Sequence, residues 1–432
     1  MAIWTKNQKF IDYIERTLLF KDFGEWKKIF DYSVKDFQKI DEKIILLLLQ
    51  VDCHVYLNDM KAPKRYQELN DILKDYDYQN EYLNDYINAY NEWVIKYNRE
   101  SAFQKFQLIV QKYNDISALK RGQLIAFLMG QNKKQLEIAQ KFNPDQCYFK
   151  GKYYYAMLSF AYGEIFMYKE AAEAIEKGLK IEVNDPWLHH AQMHNLFFTE
   201  SNITKCIKIS ENFVGYWQGL NAFLRSHNFW HLSLFYLENQ EIDKVIQIFE
   251  SQLWNFKDQL YLENLVNAIQ LLWKLEIHNK IKFDQKINDF VNRSFSMLYD
   301  SFEEEVYGNI GYLMYNLLIL KVLKTQKADK YETQKQIIWN FCEQNEMKEI
   351  IPLLEFLYEE KYENENQIFN GLAQAEKLLG SEEQLLIFQE ACVPILIQKQ
   401  EIYNAEKQTS KLLSVRSSPI YQKWQQIVLK QQ

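Results

Sequence analysis

Tyr155-Ala156-Met157-Leu158-Ser159-Phe160-Ala161-Tyr162, followed after a short interval by Ala171-Ala172-Glu173-Ala174-Ile175-Glu176-Lys177-Gly178, is the stretch that decides the fold class. In both halves apolar or small residues recur three and four positions apart, which places them on one face of an α-helix. The spacing predicts helices over Lys152–Ile165 and Lys169–Ile181, joined by a connection too short for anything but antiparallel packing.

Working outward, Tyr155, Leu158, Tyr162, Ala171, Ile175 and Gly178 fall at the spacing of the tetratricopeptide pattern, whose unit is a helical hairpin of about 34 residues. Asp185-Pro186 then supplies a cap and a first-turn proline for another helix. A second unit carries His190, Met193 and Phe197, then Ile203, Cys206 and Ile207. A third carries Phe229, Leu232 and Tyr236, a polar turn at Asn239-Gln240-Glu241, then Ile242, Val245 and Phe249. The units begin near residues 152, 187 and 226, and the longer second interval falls at Gly215-Tyr216-Trp217-Gln218-Gly219, where two glycines invite a bend.

The rest of the chain also reads as helix. Before the repeats the pattern predicts helices over Lys9–Phe20, Glu25–Tyr32, Lys35–Leu57, Leu83–Asn98, Ser101–Tyr113, Ser117–Met129 and Lys133–Lys141, with Asp71–Gln79 open between loop and helix. After them it predicts Tyr261–Ile277, Phe283–Tyr299, Glu303–Leu323, Tyr331–Gln344, Glu349–Tyr362, Gln367–Leu379, Glu382–Gln398, Ile402–Ser414 and Ile420–Lys430. The expected architecture is all-α: one continuous tetratricopeptide-like solenoid of helical hairpins in a right-handed superhelix. Residues 1–150 form its N-terminal helical repeats, 151–258 its central repeats and 259–432 its C-terminal repeats.

Composition agrees. Twelve glycines and six prolines in 432 residues are too few for the turns of a many-stranded fold. The net charge of −7 comes from both signs mixed along the chain, which leaves no basic stripe for a phosphate backbone, so nucleic acid is not an expected partner. The longest apolar run, Ile44 to Leu49, is far short of the roughly 20 residues of a spanning helix, and the N-terminus lacks an apolar leader. Five scattered cysteines, Cys53, Cys147, Cys206, Cys342 and Cys392, show neither metal-site pairing nor a disulfide framework and suggest a reducing compartment. The expectation is a soluble cytoplasmic protein without a membrane partner.

Five of the seven histidines lie between His189 and His231. His190 and His194, and again His227 and His231, are spaced i, i+4, so each pair faces one way from its helix. If both helices are the first of neighbouring repeats, the pairs face each other across a groove, with Asn228, Trp230 and Glu238 nearby. His189 points elsewhere on its helix, and His54 and His278 stand alone.

Asp-x-Trp at Asp185, then His190-Ala191-x-x-His194, then His227-Asn228-x-Trp230-His231 with Leu237-Glu238, closely resembles the tetratricopeptide repeat protein 38 family. Leu271-Leu272-Trp273-Lys274-Leu275-Glu276, Leu379-Gly380-Ser381-Glu382-Glu383-Gln384 with Phe388, and the closing Ser417–Lys430 segment resemble later parts of that family, so the resemblance covers roughly residues 115 to 432. It implies the helical-repeat fold and a histidine site but no settled activity. Where family members carry a further Phe-Asn-Asp-x-His motif, this chain has Phe302-Glu303-Glu304-Glu305-Val306-Tyr307, without a histidine.

Three roles suit such a cluster. The imidazoles and Asn228 form a buried hydrogen-bonded network that fixes the packing of neighbouring repeats. Alternatively, His190, His194, His227, Asn228, Trp230, His231 and Glu238 line a concave groove for a peptide, a protein or a small molecule. Or the protein is an enzyme, a hydrolase or a metal-dependent one, in which His190, His194, His227 and His231 bind zinc or act as acids and bases, with Glu238 as orienter. The zincin glutamate is missing from both His-x-x-x-His segments, and no nucleotide loop, flavin fingerprint or nucleophile elbow occurs. The leading expectation is a binding protein, and the enzyme is its alternative.

Overall fold

The computed structural model describes residues 6–19, 27–56, 61–74, 79–220, 223–253, 262–278, 313–325, 329–344, 347–361, 364–376, 378 and 381–431. Every regular element among them is helical, and helices adjacent in sequence pack on one another. The expected helix Phe283–Tyr299, the first part of Glu303–Leu323 and the Phe302–Tyr307 segment lie outside the described residues. No described helix is long and apolar enough to cross a membrane.

The helices that position the site are α1 (Tyr154–Gly163), α2 (Tyr168–Ile181), α3 (Pro186–Thr199), α4 (Ile203–Glu211), α5 (Phe223–Glu238), α6 (Ile242–Ile248), α7 (Leu262–Ile277), α8 (Glu382–Gln398), α9 (Ile402–Val415) and α10 (Pro419–Leu429). Near the N-terminus several expected helices are shorter or split. Glu25–Tyr32 is represented by a 3-10 turn at Lys27–Asp31, Lys35–Leu57 begins only at Ile40, and Leu83–Asn98 passes into a π turn at Asn91–Ile95. Lys61–Leu73, for which no helix was expected before Asp71, is helical. Its polar composition hides the few residues it buries, Tyr66 and Leu69 among them.

The chain divides into two compact units. One comprises residues 1–192 and 215–225, the other 193–214 and 226–432. All three divisions fall inside helices: α3 between Gln192 and Met193, the short helix Val214–Trp217 between Val214 and Gly215, and α5 between Arg225 and Ser226.

In the first unit Ala156 of α1, Ile175 of α2, and Leu188 and Ala191 of α3 close into one buried cluster. Gly178 explains how near the helices come: a Cβ there would stand 2.7 Å from Leu188 Cδ2 and 2.9 Å from Tyr155 Cβ. Only a residue without a side chain fits. Asp185 starts α3 by accepting from the backbone N–H of Trp187 at 3.0 Å and of Leu188 at 3.4 Å. In the second unit α7 packs on α8, and α8, α9 and α10 pack in succession. Lys274 of α7, Glu390 of α8 and Tyr421 of α10 join there: the ammonium lies 2.6 Å from one carboxylate oxygen and the phenol donates to the other at 2.5 Å. All three side chains are buried, so the pair must stay complete to offset its desolvation.

Candidate metal centre

α3 carries His190 and His194 one turn apart, and α5 carries His227 and His231 in the same way. Within the second unit the His194 and His231 rings are 4.5 Å apart at 65°, and those of His227 and His231 4.7 Å apart at 76°. α3 runs unbroken through its division, so the helix itself holds His190 one turn ahead of His194. One nitrogen each from His194, His227 and His231, all in the second unit, lies within 4.8 Å of the others. The exposures are 4% for His190, 8% for His194, 3% for His227 and 1% for His231, so these rings do not present themselves to bulk water.

Aromatic faces hold the rings in place. Trp230 stacks on His227 with centroids 5.3 Å apart and planes at 9°, and meets His231 edge-on at 4.9 Å. In the first unit Phe160 stacks on His190 at 5.9 Å, and Trp187 meets it edge-on at 5.6 Å. Rings flanked in this way lose rotamer freedom in advance, as a preorganised site requires.

Protonation is set by the outer partners. Glu383, in the first turn of α8 and fully buried, brings Oε1 to 2.5 Å from His194 Nδ1. The helix start suits a carboxylate, because its backbone N–H groups point outward. There Ser381 caps α8, and its own N–H donates to Gln384 Oε1 at 3.0 Å. Neither Glu383 oxygen takes a hydrogen bond among the described residues, so the carboxylate faces His194 as a charge at contact distance.

His227 is fixed through a longer chain. Ser226 donates its hydroxyl hydrogen to Asn264 Oδ1, and Asn267 Nδ2 donates to Ser226 Oγ at 3.3 Å. That orients the Asn267 amide so that Oδ1 faces His227 Nδ1 at 3.0 Å. An amide oxygen only accepts, so His227 Nδ1 carries the proton and Nε2 keeps its lone pair. Burial, together with the charges that His194 and His227 would carry, holds the His231 pKa well below the ordinary histidine value. The result is neutral imidazole, the form that binds a metal ion.

Glu382, beside Glu383, has its carboxyl pushed up to about 7, first by burial and then by the neighbouring Glu383 charge. The donor set suits a borderline-soft divalent ion such as zinc, for which nitrogen ligands lie at about 2.0–2.1 Å. At those lengths tetrahedral nitrogens stand roughly 3.4 Å apart, so closing on an ion takes inward ring movements on the order of 1 Å.

The other residues singled out in the sequence sit as follows. Asn228 is fully buried on α5. Glu238 lies two turns beyond His231 and is engaged elsewhere: Ser418 Oγ lies 2.7 and 2.9 Å from its two oxygens. It anchors the corner before α10. His189 does point away from the other four. Its Nε2 faces Val183 O at 2.7 Å and its Nδ1 accepts from Trp217 Nε1 at 3.1 Å, while burial lowers its pKa to about 4. His278 stacks on Trp424 with centroids 5.2 Å apart, and His54 on Phe30 at 4.5 Å.

Glu383, Asn267, Ser226 and Asn264 went unnoticed in the sequence reading. The one available signal was the acidic pair directly after the Ser381 cap, and it accounts for a helix start without pointing to His194. No protein-family model matches the chain, and no solved structure matches it.

Proposed function

We propose that the protein is a metalloprotein of the tetratricopeptide repeat protein 38 type, a right-handed solenoid of helical hairpins residing in the cytoplasm. In this reading His194, His227 and His231 hold one divalent transition-metal ion, zinc being the simplest. The fourth position is open to substrate. The observation that carries it is the convergence of three buried imidazoles in the second unit, His194, His227 and His231, of which His227 has its outer nitrogen bonded to Asn267 and His194 has a carboxylate, Glu383, against its own. Metal-bound histidines are oriented by such outer oxygen acceptors.

A centre of this kind would support metal-assisted hydrolysis of a small-molecule or peptide ligand, the metal supplying Lewis acidity when bound. The rival reading is a purely structural lock, favoured by the chain of hydrogen bonds that runs through Asn264, Ser226, Asn267 and His227. Elemental analysis of tag-free protein beside a His190→Ala/His231→Ala variant separates them. Near-stoichiometric metal that disappears from a still-folded variant supports the centre. Absence of metal from both proteins, with the variant much less stable, supports the lock.

A further inference from the structure

Arg416 closes α9 and is 4% exposed, yet none of its three side-chain nitrogens has a hydrogen-bond partner among the described residues. Its guanidinium lies over the Phe197 ring, 3.7 Å from the centroid, and Nη1 is 3.5 Å from Glu238 Oε1, too long for a hydrogen bond. Glu238 offsets the charge as an ion pair but takes none of the donors in a hydrogen bond, its two oxygens being turned toward the single Ser418 hydroxyl. Ser418 is spent as well, because it caps α10 through the N–H groups of Ile420 and Tyr421. A buried guanidinium presents five N–H donors in a planar fork shaped for two oxygens of one anion. Leaving them unpaired is costly.

The fork is linked to the histidine centre by both helices that build it. Phe197 follows His194 by three residues on α3, and Glu238 follows His231 by seven on α5. Each pair shares a helix face, and at 1.5 Å per residue Arg416 stands roughly 5–10 Å from the imidazoles along the helix axes. Ser417, next in the chain, is exposed, so the corner borders solvent.

We propose that Arg416 is a binding residue for an oxyanion, a carboxylate or phosphate, carried by the small molecule handled at the histidine centre. This rests on the metal reading above. It narrows the ligand class to molecules with an anionic group held roughly 5–10 Å from the group presented to the metal, the distance set by the same helix rise.

The test is thermal-shift and calorimetric titration of the full chain with inorganic phosphate and with acetate, against chloride at matched ionic strength. Metal content is measured on the same samples. Wild type should show saturable stabilisation by at least one oxyanion. Arg416→Met, which keeps the stem over Phe197, should lose it, and Arg416→Lys should retain it weakly because an ammonium lacks the fork. Glu238→Gln removes the neighbouring negative charge and should tighten the oxyanion about tenfold. This second arm keeps the test valid should Arg416→Met fail to fold.

No saturable effect in wild type, undiminished binding in Arg416→Met, or unchanged or weaker binding in Glu238→Gln overturns the proposal. If wild type holds metal but ignores both oxyanions, the anion site falls and the centre stands. If it holds no metal yet binds oxyanion through Arg416, the centre falls and the anion site stands alone. Binding that is abolished by a chelator but kept in Arg416→Met places the anion on the metal and overturns the role of Arg416.

Discussion

Glu383 Oε1 stands 2.5 Å from His194 Nδ1, tying the first turn of α8 to a ring on α3. The carboxylate is fully buried and stands against the ring at contact distance, where its charge would support a metal-bound imidazole. Glu383→Ala should therefore weaken metal binding about 10- to 100-fold, the range seen for outer partners of metal-bound histidines. Glu383→Gln, which still places an oxygen against the ring, should lose less. Competition with a chromogenic chelator gives both affinities. Equal affinity in wild type and Glu383→Ala would remove Glu383 from the centre.

Asn267 makes the same argument for His227 without a charge. Its Oδ1 faces Nδ1 of the ring at 3.0 Å only because Ser226 takes the amide nitrogen. Asn267→Ala should leave His227 with a mixture of tautomers, visible as a shift of its ring ¹⁵N resonances away from the Nδ1–H pattern. Stability should fall by about 1–3 kcal/mol, since the buried partners lose a hydrogen bond. A variant retaining a single Nδ1–H tautomer would show that the Ser226 chain does not set it.

The helices around Gly178 and the one-turn spacing within each histidine pair were legible because both depend on spacing along single helices. The 3.6-residue period sets the face that Tyr155 and Ile175 each take on their own helices, and it turns His189 away from His190. Glu383 was not legible, because its contact joins α8 to a residue far earlier in the chain. An acid after Ser381 already has a local reason to be there. Glu238 misled for the converse reason: its place on the His231 face is real, but two turns of helix carry it to Ser418 and Arg416 instead of the imidazoles. Periodicity gives direction around a helix axis, whereas the partner at a given height along it comes from tertiary packing.

Gly178 is where helix propensity and packing oppose each other. Alanine in a helix is favoured over glycine by up to about 1 kcal/mol. Here the added Cβ would meet Leu188 Cδ2 at 2.7 Å and Tyr155 Cβ at 2.9 Å, and the latter sits too near the backbone to yield. Overpacking of this kind costs about 1–3 kcal/mol, so Gly178→Ala should be destabilising overall by about 1–2 kcal/mol in urea unfolding. Gly163 ends α1 with nothing within 4 Å of its Cβ position, so Gly163→Ala should be neutral or slightly stabilising. If both variants matched wild type, the close approach of α1, α2 and α3 would be disproved.

Asp185 gives the stability a pH dependence of definite sign. The side chain caps α3 but is 2% exposed, and burial pushes its pKa up to about 7 despite the two backbone N–H groups and Lys120 acting in the other direction. Its ordinary value is 3.8, so the folded protein takes up a proton between about pH 4 and 7 that the unfolded chain has already released. Below this window the carboxyl is neutral in both states and costs nothing. Through the window stability falls as pH rises, and above about 7 the full penalty applies. Asp185→Asn keeps an oxygen for the Trp187 and Leu188 N–H groups without the charge. It should match wild type near pH 4 and exceed it at pH 8 by an amount on the order of 2–4 kcal/mol. Paired urea unfolding curves across that range check this, and a difference that does not change with pH would mean that Asp185 stays ionised in the fold.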